Sequence, residues 1–415
     1  MVSRRMVLAA GLALLAAGCG DDGKDGPPGD AGRIDAGLVS ALKPGDAQAV
    51  ARSVNAFGFD LLRETAGARP NTVISPLSVA TLLAMVLAGA GGDTAKAMAR
   101  TLHLKDSRDV RVGALLQELA DTKDVTLDVS DALWSAPELR MHADYRDFVT
   151  GKLGATAKEA DLAGADAARE IDGWVKERTH GRIDSIAEDL GLPSEDAVLV
   201  LLNAVYFLGT WTTQFDPDRT EDRPFAVPGG TPADVPMMSL SEKRFGHAQR
   251  DGYAVLRLPY GKSKRYGMEV FLPDQGADGL EAFLGRLDAA EWRVAVGALE
   301  EQEVFRTALP RFELSWSLGL GDALTKLGMG EAFGGGADFS RMVDGGAALN
   351  AVVHKTYIRV DEKGTEAAAV TGGAMTTALP ADPLVFEVDR PFAFTVSDRE
   401  TGTVLFLGAV NDPRG

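Results

Sequence analysis

The stretch 354–371, His-Lys-Thr-Tyr-Ile-Arg-Val-Asp-Glu-Lys-Gly-Thr-Glu-Ala-Ala-Ala-Val-Thr, constrains the fold of this chain more than any other. Val352–Val360 reads as a strand, and Glu362, Gly364-Thr365-Glu366 and three consecutive alanines follow it. In a strand, alternate side chains point to opposite faces. From Thr365 onward one face carries Thr365, Ala367, Ala369 and Thr371, all small and uncharged; the other carries Glu366, Ala368 and Val370. The small face can slide beneath a sheet without a large steric or desolvation cost. The one charge, Glu366, falls on the other face, where it avoids the several kcal/mol that an unpaired buried carboxylate costs. Gly364 gives the backbone freedom where such a segment has to bend. By itself an alanine-rich stretch equally fits a helix or a plain loop, so the neighbouring sequence has to decide.

A chain of 415 residues with 45% hydrophobic residues can build a sizeable core. The net charge of −17 argues against nucleic acid and anionic lipid as partners and fits a well-solvated surface. Cys19 is the sole cysteine, which excludes a disulfide within the chain. His103, His142, His180, His247 and His354 are scattered without an HxxxH pair, so neither metal nor cofactor binding has support.

Residues 1–18 have the layout of an export signal: Arg4-Arg5, an apolar run from Met6 to Ala17, then small residues. The run is too short to span a membrane as a helix. Leu15-Ala16-Ala17-Gly18-Cys19 resembles a bacterial lipobox, which implies lipidation of Cys19 and an extracytoplasmic, membrane-anchored protein in the periplasm or on the cell surface, with plain secretion as the alternative. Residues 19–45, rich in Gly, Asp and Pro, read as a flexible tether. Residues 46–415 contain no second linker and read as one domain.

Val50, Val54, Phe57 and Leu61 recur at helical spacing, and Ser75-Pro76 opens an apolar helix that Gly89–Gly92 ends. The glycine cluster lacks phosphate-loop spacing and reads as a helix-to-helix turn. Residues 197–207 hold an unbroken apolar run suited to a strand buried on both faces. Further strands are expected at 254–258, 267–272, 352–360, 384–388, 392–396 and 404–410, and helices near 166–179, 278–287 and 317–328. The mixture lacks a βαβ rhythm, which predicts an α+β fold.

These segments resemble the serpin family in order along the chain. NTVISPLSVATLLAMVLAGAGGDTAKAM at 71–98, NAVYFLGTW at 203–211 (with Leu208 where a Lys is common), VPMM at 235–238, FLPD at 271–274 and LPRF at 309–312 match successive pieces. RPFAF at 390–394 and TGTVLFLGAVNDP at 401–413 complete the set, and the stretch after Gly364 matches the hinge. The resemblance implies three β-sheets, about nine helices, and an exposed reactive loop over about 362–386. It implies an inhibitor, not an enzyme: a monomer that traps a serine protease, or a cysteine protease, when its loop inserts into its own sheet. It also implies a buried polar shutter of Ser75, Ser78, Asn203 and His354, and a breach at the top of the sheet formed by Trp211, Arg311 and Glu362, where Arg and carboxylate are expected to form a bidentate latch. Hinge residues would be Glu362, Gly364, Thr365, Glu366, Ala367, Ala368, Ala369 and Thr371. Counting from the hinge puts the scissile bond at Ala378–Leu379, with Met375 and Leu379 as alternative positions before the cut. A small residue there points to elastase-like or subtilisin-like targets, with chymotrypsin-like ones as the alternative; no Arg or Lys lies between Gly364 and Val388 to draw a trypsin-like one. The family also holds non-inhibitory members that act as binding modules. A Ser–His hydrolase reading lacks an acid partner and a GxSxG elbow.

Overall fold

A computed structural model describes residues 5–14, 43–120, 124–274, 279–344, 348–365 and 383–415. Helix α1 (Asp46–Thr65) buries Val50, Val54, Phe57 and Leu61 along one stripe, as their spacing requires. After β2 (Thr72–Ile74), Ser75 caps α2 (Pro76–Ala88), its side chain accepting from the Ser78 amide, with Pro76 in the first turn. A serine cap of this kind contributes about 1 kcal/mol. Every residue of α2 is buried, because the helix lies between two sheets and touches the strands Ala197–Thr210 and Val404–Val410. Gly89–Gly91 turns the chain into α3 (Gly92–Thr101), as the glycine cluster predicts. Then come α4 (Arg111–Ala120), β3 (Val125–Ser135), α5 (Ala143–Leu153), β4 (Thr156–Glu159), α6 (Ala165–Arg178) and β5 (Ala197–Thr210).

The second half runs β6 (Glu221–Phe225), β7 (Ala233–Arg250), β8 (Tyr253–Pro259), β9 (Tyr266–Pro273), α7 (Gly279–Arg286), α8 (Ala289–Gly297), β10 (Glu300–Pro310) and β11 (Phe312–Gly319). Three consecutive helical pieces, Gly321–Leu324, Thr325–Met329 and Gly330–Phe333, form a broken ninth helix, α9. The helix expected near 317–328 is therefore displaced. Residues 312–319 alternate between buried and more exposed and pair antiparallel with β12 (Leu349–Val360), which overrides their helical spacing. The chain ends with β13 (Gly364–Thr365), β14 (Val385–Glu387), β15 (Phe392–Asp398) and β16 (Val404–Val410). Among the described residues no helix is long and apolar enough to cross a membrane.

The first sheet has the order β11-β12-β1-β5-β3-β4, where β1 is Arg5–Leu14 and β13 joins β5. The apolar run read as an export signal is thus a strand here, parallel to both β12 and β5 and filling the gap between them. A nine-stranded network holds the rest, and it divides at β7. One side of β7 pairs with β10 over 237–247; the other pairs with β6 at 233–237 and β8 at 246–250. Strands β14-β10-β7-β6 form one sheet, and β7-β8-β9-β15-β16-β2 another. Among the described residues there are three sheets and nine helices, mixed α+β, as the resemblance implied.

Parity along β5 separates two cores. Leu199, Leu201, Val205 and Phe207 face the main core around α1 and α2. Val198, Val200, Leu202, Ala204 and Tyr206 face a second core under α6, with Trp134 and Trp174 edge to face at 5.4 Å. A strand apolar on both sides needs an unbroken apolar run, which is what its sequence shows.

Candidate functional site

Asn203 is the polar exception on the main-core face of β5, and His354 and Thr356 occupy the same face of β12. All three stand over the N-terminal turns of α2. The four expected shutter residues come together here and are buried. The Ser75 amide donates to His354 Nε2 at 3.0 Å, and the Ser78 hydroxyl donates to Asn203 Oδ1 at 2.5 Å. Asn203 Nδ2 donates to Thr81 Oγ1 at 2.9 Å and to Asp131 Oδ1 at 2.8 Å. Thr356 donates to the Val73 carbonyl. Buried polar groups have to be paired, and a cluster bonded through side chains can be re-paired as strands move. Because β1 lies between β5 and β12, Asn203 and His354 stand on opposite sides of an added strand.

Thr81 and Asp131 are members of this cluster that sequence reasoning missed. The available signal was Asp131 in Val-Thr-Leu-Asp-Val-Ser-Asp-Ala-Leu-Trp: once 125–135 is taken as a strand, Asp131 shares the inward parity of Leu127 and Leu133. Burial pushes its carboxyl up to about 7, against the lowering influence of the Asn203 and Thr81 hydrogen bonds.

His354 meets the backbone amide of Ser75, not its hydroxyl, and both side chains are fully buried. This pair presents no nucleophile to a substrate. Among the described residues no group of three His, Cys, Asp or Glu is placed to hold a metal ion.

At the top of the first sheet, Trp211 stacks on Tyr260 at 4.4 Å and its Nε1 donates to the Asp361 carbonyl at 2.9 Å. The Phe215 and Trp211 amides bind the carbonyls of Glu362 and Lys363. Arg311 reaches Glu362 through one contact at 3.6 Å, and its side chain is half exposed. The expected bidentate latch is not formed: the closer partner of Glu362 Oε1 is the Thr220 hydroxyl at 2.7 Å. The breach residues are therefore adjacent, held by main-chain hydrogen bonds and by the Thr220 hydroxyl more than by Arg311.

The hinge begins here. Asp361 and Gly364 exchange backbone bonds, so the chain reverses after β12. Gly364 has φ +132°, and a Cβ on it would lie 2.5 Å from the Gly209 carbonyl oxygen and the Trp211 nitrogen. Only glycine fits this close approach. β13 then runs antiparallel to β5, Gly364 opposite Thr210 and Thr365 opposite Gly209. Lower on β5 the same edge is taken by β1, from Ala197 to Tyr206. Glu366, Ala367, Ala368, Ala369, Thr371, Met375, Ala378 and Leu379 lie outside the described residues, as does Cys19.

A sequence model of the family described as serpin, serine protease inhibitor, matches residues 52–413. An uncharacterized serpin-like protein of Thermococcus kodakarensis is 38% identical over 384 residues, covering 90% of this chain and 88% of its own. Among solved structures, the thermophilic serpin tengpin in its native state has a TM-score of 0.78 at 25% identity, covering 89% of this chain and 95% of its own. Human thyroxine-binding globulin complexed with thyroxine also gives 0.78 at 25% identity, covering 89% and 100%. A three-sheet fold with a buried polar cluster beneath the first sheet and a glycine turn at the top of β5 defines the class to which these relatives belong. The chain belongs to the serpin family, a family of protease inhibitors.

Proposed function

We propose that this serpin inhibits an extracytoplasmic serine protease, or a cysteine protease, by suicide trapping, and contributes no catalytic residue of its own. The observation that carries the reading is β13: the hinge already lies antiparallel on β5, at the mouth of a gap wide enough for a full added strand. The protease attacks the Ala378 carbonyl and forms an acyl-enzyme with release of the Leu379 amine. The segment from Thr365 then inserts along β5, small face inward, and carries the protease away before water deacylates it. New main-chain hydrogen bonds and the loss of two exposed strand edges drive the step. An elastase-like or subtilisin-like target suits Ala378.

Insertion requires β1 to leave. In this reading residues 1–18 are removed at export, Cys19 is lipidated, and residues 19–45 tether a monomeric domain to the membrane. Removal of the leader vacates the gap that the loop later fills. Intact mass of the membrane fraction tests the anchor: a Cys19→Ser variant without the lipid mass and free of the membrane supports it, and an unchanged distribution refutes it.

The decisive test of inhibition is to mix the purified protein with an elastase-like protease and with subtilisin. A gel-stable adduct and a released peptide beginning at Leu379 support the trap. Cleavage without adduct across these and chymotrypsin-like proteases favours a non-inhibitory serpin. One observation gives that second reading content: a cavity of about 870 Å³ lined by Arg52 of α1, Trp292, Arg293 and Val296 of α8, Leu299 and Arg399. Asp60, Asp288, Glu301, Asp398 and Glu400 also line it, so its ring and aliphatic surface suits an apolar molecule bearing polar groups of either charge. Saturable binding of an aromatic carboxylate that Arg293→Ala abolishes would support carriage of a small ligand.

A further inference from the structure

One edge of β5 is claimed by two segments of the chain. β3 takes the opposite edge over 199–209. On the edge toward β12, β13 holds the upper end antiparallel, with Gly364 opposite Thr210 and Thr365 opposite Gly209. Below it β1 runs parallel to β5 from Ala197 to Tyr206. Continuing the β13 register down the strand brings Ala368 opposite Tyr206 and Thr377 opposite Ala197. Those are the positions now paired with Leu14 and Arg5. β1 also covers the facing edge of β12, from Leu349 to Thr356. The slot between β5 and β12 holds one strand at a time.

We infer that the leader is an internal occupant of the insertion gap: while Arg5–Leu14 stays attached it holds the hinge segment out, and a chain that keeps its leader does not trap a protease. The inference rests on the insertion reading above and supplies its control. The sequence suits the part. Residues 6–14 form an apolar run without a charge, as a strand lying between two others requires and as an export signal also requires.

Attachment decides the competition. β1 pairs on both sides and so covers two strand edges that an empty gap would leave bare. Its ladders slip, however. Against β5 the register shifts between Arg5 and Val7 and between Leu8 and Leu12; against β12 it shifts between Met6 and Leu8 and between Ala10 and Leu12. Each slip disrupts the pairing locally, so β1 is a weaker occupant than a regular strand. A leader joined to the domain returns to the gap at high effective concentration, whereas a severed one is diluted away. A peptidase that adds water across the Gly18–Cys19 bond leaves a carboxylate on Gly18 and an amine on Cys19, and hands the slot to the hinge segment. A precursor that folds before that cut stays inert.

The test compares the full chain, made without export so that intact mass shows the leader in place, with the exported protein that has lost it. A synthetic peptide of residues 365–375 reports on the gap, counted as annealed complex on native gels. An elastase-like protease and subtilisin report on trapping. The leader-bearing chain is expected to take up no peptide and to be cleaved without adduct, while the exported protein does both. In the full chain, Leu8→Pro with Ala13→Pro breaks the ladders at two residues paired to both neighbours and should restore annealing. Each proline removes a ladder hydrogen bond and shifts the balance between paired and unpaired leader about fivefold or more. Equal annealing by the leader-bearing and exported proteins overturns the inference. So does an exported protein that takes up no peptide, or a folded proline variant that anneals no faster than its parent. If that variant is not recovered folded, hydrogen exchange of the parent decides: protected amides over 5–14 support the inference, and exchange there at the rate of a free peptide overturns it. The two readings fail separately. Annealing only after leader loss, with no adduct from the exported protein, refutes inhibition and leaves the leader its role; adduct from both forms alike does the reverse.

Discussion

Replacing Asn203 by alanine removes the hub of the buried cluster. Three hydrogen bonds go, at 2.5, 2.9 and 2.8 Å, to Ser78, Thr81 and Asp131. A net value of about 1 kcal/mol each amounts to about 3 kcal/mol, and a hydroxyl or carboxyl left buried without its partner adds a further 1–3 kcal/mol. The expected loss for the native form is therefore about 4–6 kcal/mol. With an unfolding entropy of about 2.1 cal/mol/K per residue, a domain of this length loses about 5–8 °C from the midpoint of its first thermal transition. Scanning calorimetry of Asn203→Ala beside the exposed-surface control Val294→Ala reads this directly; the control should stay within about 0.5 kcal/mol. A folded Asn203→Ala protein whose midpoint moves no more than that of the control would refute the argument that this cluster stabilises the native fold.

Four further outcomes are expected. The Asp131 carboxyl is raised in the folded state, so its contribution to stability is complete below its ordinary range near 3.8 and is lost as pH rises through about 7. In urea unfolding the wild type should lose stability over that window relative to Asp131→Asn, by up to about 1.4 kcal/mol per pH unit, and parallel curves would contradict it. Gly364→Ala forces a side chain into the backbone at 209–211 and should cost about 1–3 kcal/mol while turning the protein from inhibitor toward substrate, seen as cleaved loop without adduct. Arg311→Ala should change stability by less than about 1 kcal/mol, because its single contact with Glu362 is half exposed and Thr220 holds the same oxygen; a larger loss in thermal melts would restore the latch. Replacing Gly372 and Gly373 by alanine should lower the number of inhibitor molecules consumed per protease, since two glycines weaken a strand by about 1 kcal/mol together, and an unchanged stoichiometry argues against it.

Much of the fold was legible because the responsible signals are local. The stripe Val50, Val54, Phe57 and Leu61 needs nothing beyond helical geometry, and Ser75-Pro76 announces a helix start through the orphan amides of its first turn. The doubly buried β5 was visible as an unbroken apolar run. β3, β6, β7, β10 and β11 were harder. Their residues are polar on one side or interrupted, and only pairing with a distant partner makes them strands; the last three residues of β11 read as the start of a helix until β12 claimed them. Of the shutter, Ser75, Ser78, Asn203 and His354 were legible from the family pattern. Asp131 and Thr81 were not, because nothing local distinguishes an inward aspartate from a surface one until the strand's parity is known.

The sequence alone determined that the stretch after Gly364 has a small, uncharged face fit to slide under a sheet, and that a helix starts at Ser75-Pro76 with hydroxyls in its first turns. Both follow from side-chain size and from backbone donors within a few residues of each other. Tertiary structure decided the rest: that Asp131 lies against Asn203, that Glu362 leans on Thr220 more closely than on Arg311, and that Arg5–Leu14 fills the gap beside β5. Those outcomes depend on groups dozens to hundreds of residues apart, whose competition for one buried site is resolved only when the sheets close around α2 and water is excluded.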